Sequence, residues 1–169
     1  GELASLYAAR DFLKGDLVLG YGDIVFDDFI LGNLLQQEAG ITIAVDGAWK
    51  LRGRADIHRD LVVTSGAHAP LGKNACKLSS IGPDVSSDEV SGEWIGLLAL
   101  RADKTAQVVA LLDKLAKEEP NVLRTADLPT LLNRLVASGE TVTVVHSYGH
   151  WHDLDAEKDL LSASEQVTS

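Results

Sequence analysis

Apolar positions at the start of the chain recur at helical spacing. Leu3, Leu6, Tyr7, Ala9, Phe12 and Leu13 form one such series, and Lys14-Gly15 ends it. Leu17-Val18-Leu19 then runs into Gly20-Tyr21-Gly22-Asp23, after which Ile24-Val25-Phe26 is apolar again. This pattern predicts a buried strand with a sharp glycine exit. Phe29, Ile30, Leu34 and Leu35 mark a second helix ending near Gly40, and Ile41 to Asp46 reads as a strand with another exit aspartate. Residues 47–58 have no clear period and read as a loop rich in Gly, Arg and Lys. Asp60 to Thr64 predicts a short strand, Cys76 to Ile81 a weak one, and Glu93 to Leu100 a strong one. The stretches 65–75 and 83–91 read as turns and loop.

In the second half, Lys104 to Lys117 is the clearest helix, with Val108, Leu111, Leu112 and Leu115 on one face. Asp127-Leu128-Pro129 predicts a capped helix start, and Gly139 its end. Thr141 to Val145 reads as a strand, and residues 156–164 as a last helix. Strands and helices alternate without repeats. The expected class is α/β, with a mostly parallel, mixed sheet flanked by helices.

Asp23 therefore stands just past the carboxyl end of a strand, where open α/β sheets bind ligands. A carboxylate reached by bare glycine backbone suits Mg²⁺ carrying a nucleotide phosphate, although a turn aspartate bonding its own backbone has the same local signature. The segment His146 to Asp155 carries Asp153 and Asp155 two apart, on one face of an extended strand, with Asp155 at the start of the following helix. Capping explains Asp155 as readily as a metal does. Taken with Asp23, it forms a pair able to clamp one Mg²⁺ from two distant strands. His150 and His152 share a face in the same reading, but zinc needs three or four ligands. His58, His68, His146 and Cys76 have no ligand-like spacing. No Gly-x-Ser-x-Gly elbow, Walker loop or Gly-x-Gly-x-x-Gly occurs.

Composition narrows the class further. The 169 residues suffice for one domain with a sizeable core. A net charge of −10 argues against a nucleic-acid partner. No apolar run approaches membrane-span length and no signal pattern opens the chain, so no membrane partner is expected. A single cysteine, Cys76, rules out an internal disulfide framework and fits the cytoplasm. The chain has no methionine and opens almost inside a helix pattern, so 1–169 is expected to be the C-terminal portion of a longer chain.

Four segments carry a resemblance, in order: Ser5-Leu6-Tyr7-Ala8-Ala9-Arg10, Tyr21-Gly22-Asp23-Ile24-Val25-Phe26, Gly92-Glu93-Trp94-Ile95-Gly96-Leu97, and Gly149-His150-Trp151 with Asp155 and Asp159-Leu160. Together they resemble the nucleotidyltransferase family of sugar-phosphate and phosphocholine cytidylyltransferases. More narrowly, they resemble the phosphonate cytidylyltransferase domains associated with phosphoenolpyruvate mutase, as in fosfomycin-type biosynthesis. Arg59-Asp60-Leu61-Val62-Val63 and Asp127-Leu128-Pro129 with Leu131-Leu132-Asn133 fit the narrower group. The likeness spans essentially the whole chain.

The resemblance implies a Rossmann-like nucleotidyltransferase fold. It also implies transfer of CMP from CTP to a small phosphonate of the 2-hydroxyethyl- or 2-aminoethylphosphonate type, with pyrophosphate released. It assigns Mg²⁺ to Asp23 and Asp155, with Asp153 as a poorer third match. Tyr21 and Gly22 in the glycine turn are candidates to line the nucleotide pocket, and Ser5 resembles a position near it, although polar residues are common at helix starts. Trp94 reads as core or rim packing ahead of a base-stacking platform. Glu93 is a candidate for the acceptor's amine or hydroxyl or a plain strand-end charge, and of the loop cations Lys50, Arg52, Arg54 and Arg59, Arg59 best suits the acceptor's anionic group. A homodimer and a fused or associated mutase are further expectations of the likeness. The chain departs from the family at its front: the Gly-rich loop that cradles the triphosphate, with its Arg and Pro-Lys pair, has no counterpart before Glu2. This keeps two alternatives open. One is an inactive binding or oligomerisation module attached to a mutase. The other is a phosphocholine or sugar-phosphate nucleotidyltransferase.

Overall fold

The computed structural model describes residues 1–52, 60–65, 76–83, 85 and 88–154. Eight strands and five α-helices follow one another in it. They are α1 (Glu2–Ala8), β1 (Leu17–Gly20), β2 (Ile24–Phe26), α2 (Asp28–Leu35), β3 (Ile41–Asp46), β4 (Leu61–Ser65), β5 (Cys76–Gly82), β6 (Gly92–Leu100), α3 (Ala102–Glu118), α4 (Pro120–Thr125), α5 (Leu128–Ala137), β7 (Thr143–Ser147) and β8 (Trp151–Asp153). The helix expected over 156–164 lies outside the described residues.

Six strands form one sheet in the order β1-β6-β3-β7-β5-β4, and β4 also pairs with the start of β6. The expectation of a mostly parallel sheet is corrected here. Among the described strands, only β3 and β7 pair parallel; β6 runs antiparallel to β1, β3 and β4, and β5 antiparallel to β7 and β4. The reason lies in the connections. A parallel pair needs a long crossover, which α3, α4 and α5 contribute to between β3 and β7. No α-helix is described between β4 and β5 or between β5 and β6.

Two apolar layers sandwich the sheet. On one face Leu3 and Leu6 of α1, Val108, Leu112 and Leu115 of α3, and Leu131, Leu132 and Leu135 of α5 pack on Ile41, Ile43, Val45, Leu98 and Leu100. On the other, Ile30 and Leu34 of α2 and Trp151 pack on Ala44, Ile95 and Leu97, with Ile24 and Phe26 beside them. Strands covered on both faces must be apolar at successive positions rather than alternate ones. That is why β3 is buried throughout and why four of its six residues are apolar, with Thr42 and Asp46 buried among them. The buried positions of α3 fall at Thr105, Val108, Leu112 and Leu115, a single helical stripe.

Asp127 caps α5 as expected, its Oδ1 accepting from the Thr130 N–H at 2.9 Å and hydroxyl at 2.6 Å. The first helix is shorter than its apolar series. It ends at Ala8, a 3₁₀ turn covers Arg10–Phe12, and Phe12 is 86% exposed. Helix α4, with Pro120 in its first turn, has no counterpart in the sequence reading. Strand β7 sits two residues later than its β-branched run suggests. Cys76 is a buried free thiol. Among the described residues, no helix is long and apolar enough to cross a membrane.

Candidate functional site

The carboxyl ends of β1, β3 and β7 and the amino end of β6 meet at one edge of the sheet, with Asp46 opposite Glu93 on one side and Ser147 on the other. Chain exits converge there, which is where an α/β sheet offers a crevice. Beyond this edge, β2 and β8 form a separate two-stranded antiparallel ribbon. Its pairing joins the two acidic segments from opposite ends of the chain. Ile24 stands opposite Asp153, and the Leu154 N–H donates to the Asp23 carbonyl at 2.8 Å. Asp23 is exposed in the turn between β1 and β2, directly after the glycine exit. Asp155 and Arg59, both expected in the site, lie outside the described residues.

Gly22 also sits in that turn with an ordinary backbone angle, and a β-carbon there would meet nothing within 4 Å. Packing therefore gives no reason for glycine at 22. Gly96 is different. It lies where β6 bulges, since the register on β3 slips between Ile43 and Val45, and its φ is +82°. A β-carbon on Gly96 would overlap the Tyr21 ring, 2.8 Å from Cγ and closer still to Cδ2. The Tyr21 N–H donates to the Gly96 carbonyl at 3.2 Å. The Gly-Tyr-Gly-Asp and Gly-Glu-x-x-Gly motifs are thus two halves of one contact.

Tyr21 is half-buried, with its ring 5.3 Å from that of Trp94. Its hydroxyl lies 3.2 Å from Glu2 Oε2 and 3.3 Å from Asp60 Oδ2. Burial, then the charges of Asp60 and Glu2, pushes the phenol well above its ordinary range. Glu2 Oε2 also accepts from the Leu128 N–H at 2.8 Å, tying α1 to α5. Ser5, one turn after Glu2 on α1, is exposed. Trp94 takes the core-packing role, and its indole N–H donates to the Leu97 carbonyl across the bulge. It supports Tyr21 from below and presents no open face. Glu93 is buried at the strand's second residue.

The loop cation Lys50 sits over the Trp49 ring, 5.4 Å from its centre. The shared strand face of His150 and His152 is not formed. His150 takes a left-handed φ of 64° before β8 begins, and its ring pairs with Asp27 at 2.9 Å. Among the described residues, no group of three or more His, Cys, Asp or Glu could hold a metal ion. Mg²⁺ is bound through one or two carboxylates plus substrate phosphates. The exposed Asp23 carboxylate is a donor of that kind.

Sequence reasoning passed over Asp46, Asp60 and Glu2. Asp46 carried a signal as a second exit aspartate, whereas Asp60 and Glu2 enter the site because Tyr21 reaches them.

No protein-family model matches the chain. Its architecture does match solved structures. It superposes on the inositol-1-phosphate CTP transferase from T. maritima with a TM-score of 0.66 at 19% identity, covering 99% of this chain and 60% of that one. It superposes on CTP:phosphocholine cytidylyltransferase from Streptococcus pneumoniae with a TM-score of 0.58 at 14% identity, covering 98% and 63%. This is the nucleotidyltransferase fold. A relative in sequence is CTP:phosphoglutamine cytidylyltransferase of Campylobacter jejuni subsp. jejuni serotype O:2 (strain ATCC 700819 / NCTC 11168), 22% identical over 92% of this chain and 64% of its own length. The chain thus spans roughly three-fifths of the nucleotidyltransferases it matches.

Proposed function

We propose that this chain is the acceptor- and metal-bearing part of a Mg²⁺-dependent cytidylyltransferase, moving CMP from CTP to an oxygen of a small phosphonate or phosphate. One observation carries the reading. In a nucleotidyltransferase fold, the β2–β8 ribbon joins the Asp23 exit to the segment of Asp153, two carboxylates far apart in sequence, at the sheet's carboxyl edge. The relatives' names add weight, since they cite CTP with inositol-1-phosphate, phosphocholine and phosphoglutamine.

In this reading the acceptor oxygen attacks the α-phosphorus in line, a P–O bond to CMP forms, and the bond to pyrophosphate breaks. A phosphonate or phosphate oxygen is already ionised near neutral pH, so the protein needs no general base. Its residues position the reactants and balance charge. Asp23 and Asp155, with Asp153 as a third candidate, would hold Mg²⁺, which would neutralise charge on the triphosphate. Gly22 leaves the backbone bare for the approaching nucleotide. Tyr21, fixed by Gly96 and Trp94, sets the course of the chain into Asp23. Ser5 lies on the helix whose Glu2 meets Tyr21. Glu93 serves the acceptor's amine or hydroxyl, and Arg59 its anionic group. A phosphonate is the preferred acceptor because the narrower likeness, including Arg59 to Val63, runs to phosphonate enzymes.

The test is pyrophosphate release from CTP and Mg²⁺ over a panel of 2-hydroxyethylphosphonate, 2-aminoethylphosphonate and phosphocholine. It is run on this chain and on the product of its complete reading frame, with Asp23→Ala as control. Release lost in Asp23→Ala supports the transferase, and the best acceptor identifies the substrate class. Silence from the complete product across the panel would refute the phosphonate reading and leave a non-catalytic module or a transferase with another phosphate acceptor.

A further inference from the structure

Asp46 ends β3 and has no exposed surface. A buried carboxylate is costly unless its oxygens are hydrogen-bonded. Oδ1 accepts from the Ala48 N–H and the Gly149 N–H, both at 2.9 Å, and Oδ2 from the Trp151 indole N–H at 3.1 Å. The first bond is a local turn. The other two cross to Gly149 in the connection between β7 and β8 and to Trp151, the first residue of β8. That connection passes through consecutive left-handed residues, Gly149 at φ 79° and His150 at φ 64°. A non-glycine residue in that region needs support from its surroundings. Trp151 then opens β8, is buried in the smaller core cluster, and stands opposite Phe26 of the ribbon. Two residues on comes Asp153, and the next N–H holds the Asp23 carbonyl. The ribbon that joins the two acidic segments is thus seated on the sheet through Trp151, and the polar end of Trp151 rests on Asp46.

We infer that Asp46 is a positioning residue. It fixes the β7–β8 turn and, through Trp151, the ribbon, and so sets where Asp153 and Leu154 stand relative to Asp23. Its effect on Mg²⁺ use rests on the proposed transferase reading; the geometric part does not. Both carboxylate oxygens are needed. Asparagine would keep an acceptor for the two backbone N–H groups but would set its own N–H₂ against the Trp151 indole N–H.

The experiment compares Asp46→Asn, Trp151→Phe and the double variant by two readouts. Amide exchange is followed at Asp27 and Leu154, whose bonds to the His150 and Asp23 carbonyls tie down the ribbon, with Leu98 in the sheet as reference. The Mg²⁺ concentration for half-maximal pyrophosphate release is measured alongside. In Asp46→Asn, exchange at Asp27 and Leu154 should rise while Leu98 is unchanged. The Mg²⁺ requirement should rise about tenfold to a hundredfold, as for other groups that orient a metal ligand, with KM for CTP moving less. The double variant should be little worse than Asp46→Asn alone, because both changes break the same contact. Wild-type exchange in Asp46→Asn, or full additivity of the two changes, overturns the inference. Should Asp46→Asn fail to fold, Trp151→Phe decides: faster ribbon exchange supports the inference and wild-type exchange overturns it. Should the wild-type protein release no pyrophosphate, the transferase reading fails while the exchange data still decide the role of Asp46.

Discussion

Replacing Gly96 by alanine tests whether the two glycine motifs act as one contact. The single methyl group meets two obstacles. Gly96 holds φ +82°, where a non-glycine residue costs of order 1–3 kcal/mol. The methyl carbon would also overlap Tyr21, whose ring cannot simply swing away, because Trp94 lies beneath it and Glu2 and Asp60 hold its hydroxyl. Forcing an extra carbon into such a packed site typically costs about 1–3 kcal/mol. The sum is roughly 2–6 kcal/mol, against about 5–15 kcal/mol for the whole fold of a typical domain. Urea unfolding followed by circular dichroism should show the midpoint falling with little change in slope. Combining Gly96→Ala with Tyr21→Ala separates the two costs. Removing the ring relieves the overlap but leaves the backbone strain, so the substitutions should couple by about 1–3 kcal/mol in the favourable direction. A Gly96→Ala protein within about 0.5 kcal/mol of wild type, the usual range for a surface change, would refute the reasoning. So would a cycle with no coupling.

Three further outcomes follow from the same physics. Asp127→Ala should lower stability by about 0.5–2 kcal/mol, because the cap bond to the Thr130 N–H is lost, and Asp127→Asn should recover most of it; equal melts of Asp127→Ala and wild type would contradict this. The Tyr21 phenol is held protonated above its ordinary value of 10, so its contribution is complete below about pH 10 and lost as the pH rises further; the ultraviolet difference between wild type and Tyr21→Phe should show the Tyr21 phenol un-ionised until the protein unfolds. Glu119 is held below its ordinary 4.5 by its two bonds to Arg134, so its contribution is present above that value and lost as pH falls through the lowered one. The unfolding midpoints of wild type and Glu119→Gln should therefore differ near neutrality and converge in acid, and a gap independent of pH would count against the pair.

Much of the fold could be read from local pattern. The segment from Ile41 to Asp46 was legible as a strand, and Val108, Leu112 and Leu115 marked the stripe of α3, because hydrophobic burial acts on the same residues that set the period. Asp127 announced its helix because capping is a contact over three residues. The glycine exit before Asp23 was legible for the same reason. Strand direction was not. Apolar strands look alike whichever way they run, and only the connections made β6 antiparallel to both of its main neighbours. Nor could period tell that His150 would leave the strand in a left-handed turn, or that Phe12 would face water. The partnerships at the candidate site lie furthest from local reach. Gly96 is glycine because Tyr21 arrives from β1, and Asp46 is buried because Gly149 and Trp151 arrive from the far end of the chain. The sequence by itself determined where most strands and helices would form and where acidic exits would stand, but not all of their burial: β1, expected to be buried, is an edge strand with Val18 38% exposed. Only the tertiary structure decided which exits meet, since that depends on the register and order of strands far apart in the chain.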